Sequence, residues 1–332
     1  MKALVTGGAG FIGSHVVDEL IDREWEVVVI DNLSVGERKN VNKKAKFIKG
    51  DIRDETFVRS FMNGVDVIFH FAYDATECKS IFSPVLDTDI NLKGSMIVLK
   101  EAINAGVQKF VFPSSVLVYG KPLSVPTSED HPLMPDDPYS VSKMAFEHYL
   151  RVYYELGKIK PYIIRFNNTY GPRLRLDNPY KGATQIFISR CLKKQKPTIF
   201  GDGLQRRAFT YVEDLKAPIV EIINFDDLIG VPINLGSEHV HTITEVAKTI
   251  CKLTGVDEEL EYLPARQKDI KDAWCDVTRM KRYFGFSCET KLEDGLKKTI
   301  EWAKKEPDNI FKYDWPIEIP SLVEDIYAKR KI

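Results

Sequence analysis

The sequence predicts an α/β fold, a doubly wound parallel sheet with a smaller, discontinuous C-terminal domain. Three observations carry that prediction. Short apolar runs alternate with stretches of helical spacing through the first half of the chain, as a parallel sheet with helices on both faces requires. The first run, residues 3–6, ends in a cluster of glycines that opens a helical stretch, giving the strand, turn and helix of a βαβ unit. At 332 residues the chain is long for one compact core and suits two associated domains.

The elements follow in order. Residues 11–21 repeat apolar positions at helical spacing, and the run 27–30 ends at Asp31. Runs at 46–48, 65–69, 110–112 and 162–164 are further strands separated by helical stretches. Pro138, preceded by Asp136 and Asp137, marks the start of a helix through Tyr139-Ser140-Val141-Ser142-Lys143. After Arg165 the pattern changes to a loop over 171–182 rich in proline, glycine and charge. A helix to about Lys194, a short strand at 198–200 and the turn Gly201-Asp202-Gly203 come next. Residues 232–235 again have strand character, so the chain is expected to return to the first sheet. The expected domains are 1–170, with a return at about 213–239, and a substrate-binding domain from 171–212 and 240–310. Residues 311–332 form a tail whose apolar spacing from Ile319 permits a short packed helix.

Composition excludes several classes. A net charge of −1 and a pI of about 6.6 provide no global field for nucleic acid or an anionic membrane surface. The hydrophobic content of 44% supports a globular interior, and no uncharged run approaches the roughly 18 apolar residues of a membrane span. Five widely spaced cysteines without a C-x-x-C pair read as reduced thiols, and six histidines show no metal-ligand spacing. With no apolar leader at its start, the chain is expected to be cytoplasmic, with no metal.

The glycine cluster carries chemistry. Thr6-Gly7-Gly8-Ala9-Gly10-Phe11-Ile12-Gly13-Ser14 satisfies G-x-G-x-x-G from Gly8 and G-x-x-G-x-x-G from Gly7. Between a strand and a helix it lets backbone approach a pyrophosphate at the positive end of the helix. This is the opening of a Rossmann sheet. Asp31, 18 residues after Gly13, can accept both adenosine ribose hydroxyls and would repel a 2′-phosphate, so NAD is preferred over NADP. Arg38 and Lys39 are the nearby cations that keep NADP open.

Tyr139 and Lys143 stand one helical turn apart and can face one site. A cation beside a phenol favours the phenolate, so the pair is a candidate proton-transfer group.

Together with the glycine loop, these residues resemble the extended short-chain dehydrogenase/reductase family. Within it the chain is most similar to the nucleotide-sugar epimerase/dehydratase group and its UDP-sugar 4-epimerases. The likeness runs from TGGAGFIGS through Gly50-Asp51-Ile52-Arg53-Asp54, His70-Phe71-Ala72, Ser114-Ser115-Val116-Leu117-Val118-Tyr119-Gly120 and YSVSK. It continues through Arg165-Phe166-Asn167-Asn168-Thr169-Tyr170-Gly171-Pro172-Arg173, then Gly201-Asp202-Gly203 with Arg207 and Tyr211, and ends in PARQKD. The resemblance implies that Ser115 and Tyr139 handle the sugar hydroxyl being oxidised, while Lys143 binds the nicotinamide ribose and lowers the tyrosine pKa. It implies cofactor contacts at Gly7, Gly10, Phe11, Ile12, Gly13, Asp31, Asn32, Asp51, Ile52, Phe71 and Ala72. Asn168, Arg207, Arg266 and Asp269 become candidate contacts to the nucleotide sugar, because planar guanidinium forks suit phosphate oxygens. A homodimer is a further family expectation.

The reaction is narrowed at one position. Two residues before Tyr119, where sugar dehydratases and decarboxylases of this family carry a glutamate, the chain has Leu117, which cannot move a proton. Epimerisation at C4 of a UDP sugar through a 4-keto intermediate leads, ahead of another oxidoreductase, dehydratase or decarboxylase of the family. A non-catalytic regulator or an RNA-binding relative is the alternative of another class. Departures from the common pattern are Tyr73, where a second small residue is usual, Glu77 near the sugar, and Asn167 beside the nicotinamide. Glu77 has a plain alternative, a salt bridge to Lys79 or a solvated loop charge, and Lys181 is either a substrate cover or an exposed charge.

Overall fold

The computed structural model describes residues 1–178, 182–265, 269–285, 288–306 and 317–321. Thirteen strands occur among them: β1 (Lys2–Thr6), β2 (Glu26–Asp31), β3 (Lys46–Lys49), β4 (Val67–His70), β5 (Lys109–Ser115), β6 (Lys160–Phe166), β7 (Asn168–Tyr170), β8 (Thr198–Phe200), β9 (Arg206–Tyr211), β10 (Ile233–Leu235), β11 (Val240–Thr242), β12 (Glu261–Leu263) and β13 (Asp272–Ala273). The helices are α1 (Phe11–Asp22), α2 (Glu55–Arg59), α3 (Glu77–Phe82), α4 (Pro84–Asp87), α5 (Gly94–Asn104), α6 (Pro138–Glu155), α7 (Ala183–Leu192), α8 (Glu213–Glu221), α9 (Ile243–Thr254), α10 (Thr278–Phe284) and α11 (Leu292–Ala303). A π-helical turn, Thr88–Lys93, joins α4 to α5.

Seven strands form one sheet in the order β10-β6-β5-β4-β1-β2-β3, and every pairing that defines its register is parallel. This is the doubly wound Rossmann arrangement. The order reverses between β1 and β4, and ligands bind such sheets at the carboxyl ends of the strands on either side of that reversal. The strands read as unbroken β-branched or apolar runs because both faces are covered: Ala3 to Val5 of β1 and Val67 to Phe69 of β4 are fully buried.

The residues group into two compact units. One holds Met1–Gly120, Leu133–Ile163 and the described residues 317–321; the other holds Lys121–Pro132 and the described part of Ile164–Phe311. In the first unit, Leu4, Ile30, Ile68, Val98, Phe110, Phe112, Phe146 and Leu150 share the core. Glu318 of the tail bonds the backbone N–H groups of Val85 and Leu86 through its carboxylate, and its own N–H donates to Phe82 O. In the second unit β9 is flanked by antiparallel β11 and parallel β7 and β13, while β8 pairs with β12. These pieces, most of three residues or fewer, are too short for alternation to show, and of them the sequence marks only β8, the expected strand at 198–200.

Candidate active site

Parallel strands present their last residues at one edge, and the first unit gathers its chemistry there. Thr6 ends β1, Asp31 ends β2, His70 ends β4 and Ser115 ends β5. The glycine loop follows β1. Gly7 has φ +71°, and a Cβ on it would lie 2.4 Å from Ala72 N and from Phe71 C, so only glycine lets the loop rest on the Phe71–Ala72 peptide. A Cβ at Gly13 would lie 2.4 Å from Gly7 O, which fixes how closely α1 approaches the turn. Gly10 is extended and caps α1, and the one atom near its missing Cβ is Gly7 O at 3.1 Å. The surface above Gly10 is therefore open, and the first turn of α1 at Phe11, Ile12 and Gly13 offers N–H groups without intrahelical acceptors.

Asp31 closes the cradle. Its Oδ2 accepts from Ala9 N at 3.0 Å and its Oδ1 from Leu33 N at 2.8 Å. Burial raises its pKa and these two bonds pull it back. Each oxygen keeps a lone pair for a ribose hydroxyl. The nearby cations are engaged elsewhere: the Arg38 guanidinium stacks 4.5 Å over the Phe47 ring, and Lys39 pairs with Glu37 at 2.7 Å. Asn32 donates to Asp51 Oδ2 at 3.0 Å. Arg53 binds both Asp51 oxygens and also Asp89, holding the Asp51 carboxyl well below the usual range. Ile52, 6% exposed, belongs to the core.

Tyr139 and Lys143 lie on the buried side of α6, whose first turn is set by Pro138 and by Asp137, which accepts from Ser140 N at 2.8 Å. Tyr139 N donates to Ser80 Oγ on α3 at 3.1 Å. Ser115 Oγ accepts from Leu117 N at 3.2 Å, and the Ser115 hydroxyl is near enough to the Tyr139 phenol to pull its pKa down. Lys143 Nζ donates to Pro113 O.

Where the resemblance implies a lowered tyrosine pKa, that of the Tyr139 phenol is instead raised. Burial raises it strongly, the Glu77 and Asp137 charges add to the rise, and the Ser115 hydroxyl offsets part of it. The same burial drives Lys143 well below the ordinary lysine range, with Glu147 and Asp87 opposing. Glu77 is exposed at the start of α3, and Lys79 pairs with Asp74 at 2.6 Å.

A chain of buried polar groups joins the glycine strand to this helix. Thr6 Oγ1 meets His70 Nδ1 at 2.7 Å, His70 Nε2 meets Ser95 Oγ at 2.8 Å, and Ser95 Oγ donates to Asn91 O. Since the Ser95 proton is spent on Asn91, His70 must donate from Nε2 and accept at Nδ1. Burial and then the Lys143 charge push the His70 pKa down to about 3, so it is neutral. Asn91 donates to Asp87 Oδ1 at 2.7 Å, and Ser142 donates to Asp87 Oδ2 at 2.7 Å. Nothing in the spacing of residues singles out Ser80, Asp87, Asn91 or Ser95; their roles come from the folding of α3, α4 and the π turn beneath α6.

In the second unit, Asn168 on β7 donates to Ala208 O at 3.3 Å, one residue from Arg207 on β9. The Arg207 guanidinium donates to the carbonyls of Arg206, Lys271 and Ile270, and lies 3.9 Å from Asp269, which also accepts from Gln205 at 2.8 Å. Asn167 is buried with its Nδ2 unpartnered. Arg266 and Lys181 lie outside the described residues. Among the described residues no cluster of metal-ligating side chains occurs, and no helix is long and apolar enough to cross a membrane.

The family model described as the NAD dependent epimerase/dehydratase family matches residues 3–236. The chain belongs to that family. Within it, the chain is similar to the UDP-glucose 4-epimerase of Mycolicibacterium smegmatis, 34% identical over 313 residues, 92% of this chain and 99% of the relative. It is also similar to UDP-glucuronic acid decarboxylase 1 of Xenopus tropicalis, 30% identical over 92% of this chain and 72% of the relative. The solved UDP-glucose 4-epimerase of Thermotoga maritima, crystallised with UDP-glucose, matches with a TM-score of 0.85 and 34% identity over 92% of this chain and 99% of that one. The family's cofactor is NAD, and the cradle fits it: open backbone at Gly10, a helix start above it, and a carboxylate at Asp31 with two free acceptor positions.

Proposed function

We propose that the protein interconverts the C4 epimers of a UDP sugar of the glucose/galactose type through a transient 4-keto sugar. The observation that carries this reading is the Ser115 hydroxyl acting on the Tyr139 phenol, with Lys143 one turn along α6 and the inert Leu117 beside Ser115. Bound NAD supplies the acceptor and later the donor of the hydride. Tyr139, as phenolate, removes the proton of the C4 hydroxyl, and Ser115 bridges that hydroxyl and the phenol. The buried phenol favours its neutral form in the free protein, so Lys143 is assigned to stabilise the phenolate. Microscopic reversal returns the proton to the opposite epimer. Leu117 provides no acid or base at C5 or C6, which separates this reading from dehydration and decarboxylation. Asn168 and Arg207, with Arg266, are assigned to the diphosphate, and Glu77 to the sugar.

The proposed assembly is a homodimer. Val141, Tyr149 and Val152 of α6 lie on one side of the helix and expose 43 to 50% of their surface, an apolar face that a second copy can cover. A cytoplasmic setting is proposed on the five free thiols.

The deciding experiment offers UDP-glucose, UDP-N-acetylglucosamine and UDP-glucuronate with NAD and resolves products by chromatography and mass spectrometry. The reading requires an epimer of unchanged mass; loss of water or carbon dioxide would overturn it. NAD binding with no product from any of the three would favour a regulatory role. Tyr139→Phe is expected to keep NAD affinity within about twofold and to lower turnover by roughly 10²–10⁴-fold, the usual contribution of a positioned acid/base group. Near-normal turnover would remove Tyr139 from its role.

A further inference from the structure

Tyr73 stands where the resemblance leads one to expect a second small residue after His70-Phe71-Ala72. Its ring centroid lies 3.5 Å from Lys143 Nζ, nearer than the rings of Phe112 at 4.6 Å and Tyr139 at 5.9 Å. The same ring meets Tyr139 edge to face, with centroids 5.7 Å apart and planes at 83°. It also lies 6.2 Å from Phe112 and packs on the core of the first unit. Its hydroxyl is buried without a hydrogen-bond partner. The face of this side chain therefore has a polar contact, while its phenolic oxygen has none.

We infer that Tyr73 is a positioning residue whose ring face keeps Lys143 in its ammonium form and aims it beside Tyr139. An aromatic face carries negative electrostatic potential, so it attracts an ammonium and has little attraction for the neutral amine. Lys143 is 2% exposed and has lost most of its water, which is the setting in which such contact counts most. The other groups that act on this charge are the Pro113 carbonyl, which accepts its hydrogen bond, the Asp87 and Glu147 carboxylates, and neutral His70. Tyr73 adds an attraction that leaves no new titrating charge in the site, because its own phenol is held neutral by burial. A cation kept at Lys143 favours the phenolate at Tyr139, so the effect of Tyr73 reaches the reaction through two other side chains. The inference rests on the proposed acid/base role of Tyr139 for its consequence in turnover, but its physical content is independent of any substrate.

The test uses the full-length protein without ligands. Lysine labelled with ¹³C at Cε reports the ammonium-to-amine transition by NMR, and the Lys143→Met variant identifies the signal. Tyr73→Phe keeps the ring face and is expected to leave the titration midpoint in place. Phenylalanines of increasing fluorine content at position 73 keep the shape while draining the ring's negative face. They are expected to lower the Lys143 midpoint stepwise, by about one pH unit in the most fluorinated ring, a tenfold loss of ammonium at a given pH. A midpoint that ignores fluorination would overturn the inference. So would a shift with Tyr73→Phe equal to that of the fluorinated rings, since the hydroxyl would then be responsible. In turnover, the acid limb of the pH profile should move upward across the fluorinated series and stay put in Tyr73→Phe. If NMR shows the stepwise shift and no UDP sugar is epimerised by any form, the proposed function fails while the ring–cation contact stands.

Discussion

Asp87→Asn should make the stability of the protein respond to pH in the opposite direction from the usual loss of a buried carboxylate. Asp87 is 6% exposed, and burial outweighs its bonds from Ser142 and Asn91, raising its pKa from 3.8 to about 6. Nearby Asp74 and Asp137 push it the same way. A group whose folded pKa is raised favours the folded state while protonated. Its contribution is complete below the unfolded value near 3.8 and is lost as pH rises through about 6. At 1.36 kcal/mol per pH unit, ionising Asp87 in the fold costs about 3 kcal/mol above pH 7. Asparagine avoids that cost but has one acceptor oxygen where Asp87 has two, so with Asn91 kept as donor the Ser142 hydroxyl must accept from the new amide NH2, a loss of about 1 kcal/mol. The variant is therefore expected to be less stable than the parent by about 1 kcal/mol near pH 4, and more stable by about 2 kcal/mol at pH 8. Urea unfolding of both proteins across that range, without ligands, should give two curves that cross. Parallel curves would refute the reasoning, because they would mean that Asp87 has the same proton affinity in the folded and unfolded chains.

Two further outcomes follow from the cofactor cradle. Asp31→Asn is expected to weaken NAD by about ten- to a hundredfold in calorimetry, the worth of hydrogen bonds to a charged acceptor, and to narrow the gap to NADP; unchanged NAD affinity would remove Asp31 from the ribose. Gly13→Ala puts a methyl group 2.4 Å from Gly7 O, so fluorescence titration should find NAD binding lost; a variant binding NAD normally would show that the turn has room to spare.

The parts of the fold that were legible in sequence are those written in long periodic runs. The first βαβ unit, the start of α6 at Asp137 and Pro138, and the alternation of the sheet all leave a pattern spanning many residues. The fourth strand runs over Val67–His70 and not from Val65, because the chain is still turning at Val65 and Asp66, where Asp66 N bonds Lys2 O. The short strands around β9 were not legible, since Asp272–Ala273 or Val240–Thr242 are too brief to alternate and are held by their neighbours. At the site, Ser115, Tyr139 and Lys143 were marked by motif, and the structure brings them together around one phenol. The direction of the Tyr139 shift could not be read, because it depends on how much water the fold removes. Asp87 was illegible for a related reason, and so was what Tyr73 touches, though the sequence marks that residue as a departure: each acts through a contact with α6 across a long stretch of chain.

The buried polar run from Thr6 through His70, Ser95, Asn91 and Asp87 to Ser142 also limits how this enzyme can be rebuilt. Every member of the run is buried, so breaking one link leaves a buried polar group short of a bond. A glycine loop grafted from another scaffold with valine in place of Thr6 would leave His70 Nδ1 without a donor, at a cost of about 1–3 kcal/mol. The strand leading into the glycine loop and the helix carrying Tyr139 thus form one exchangeable part, and chimeras should be cut outside residues 6–142.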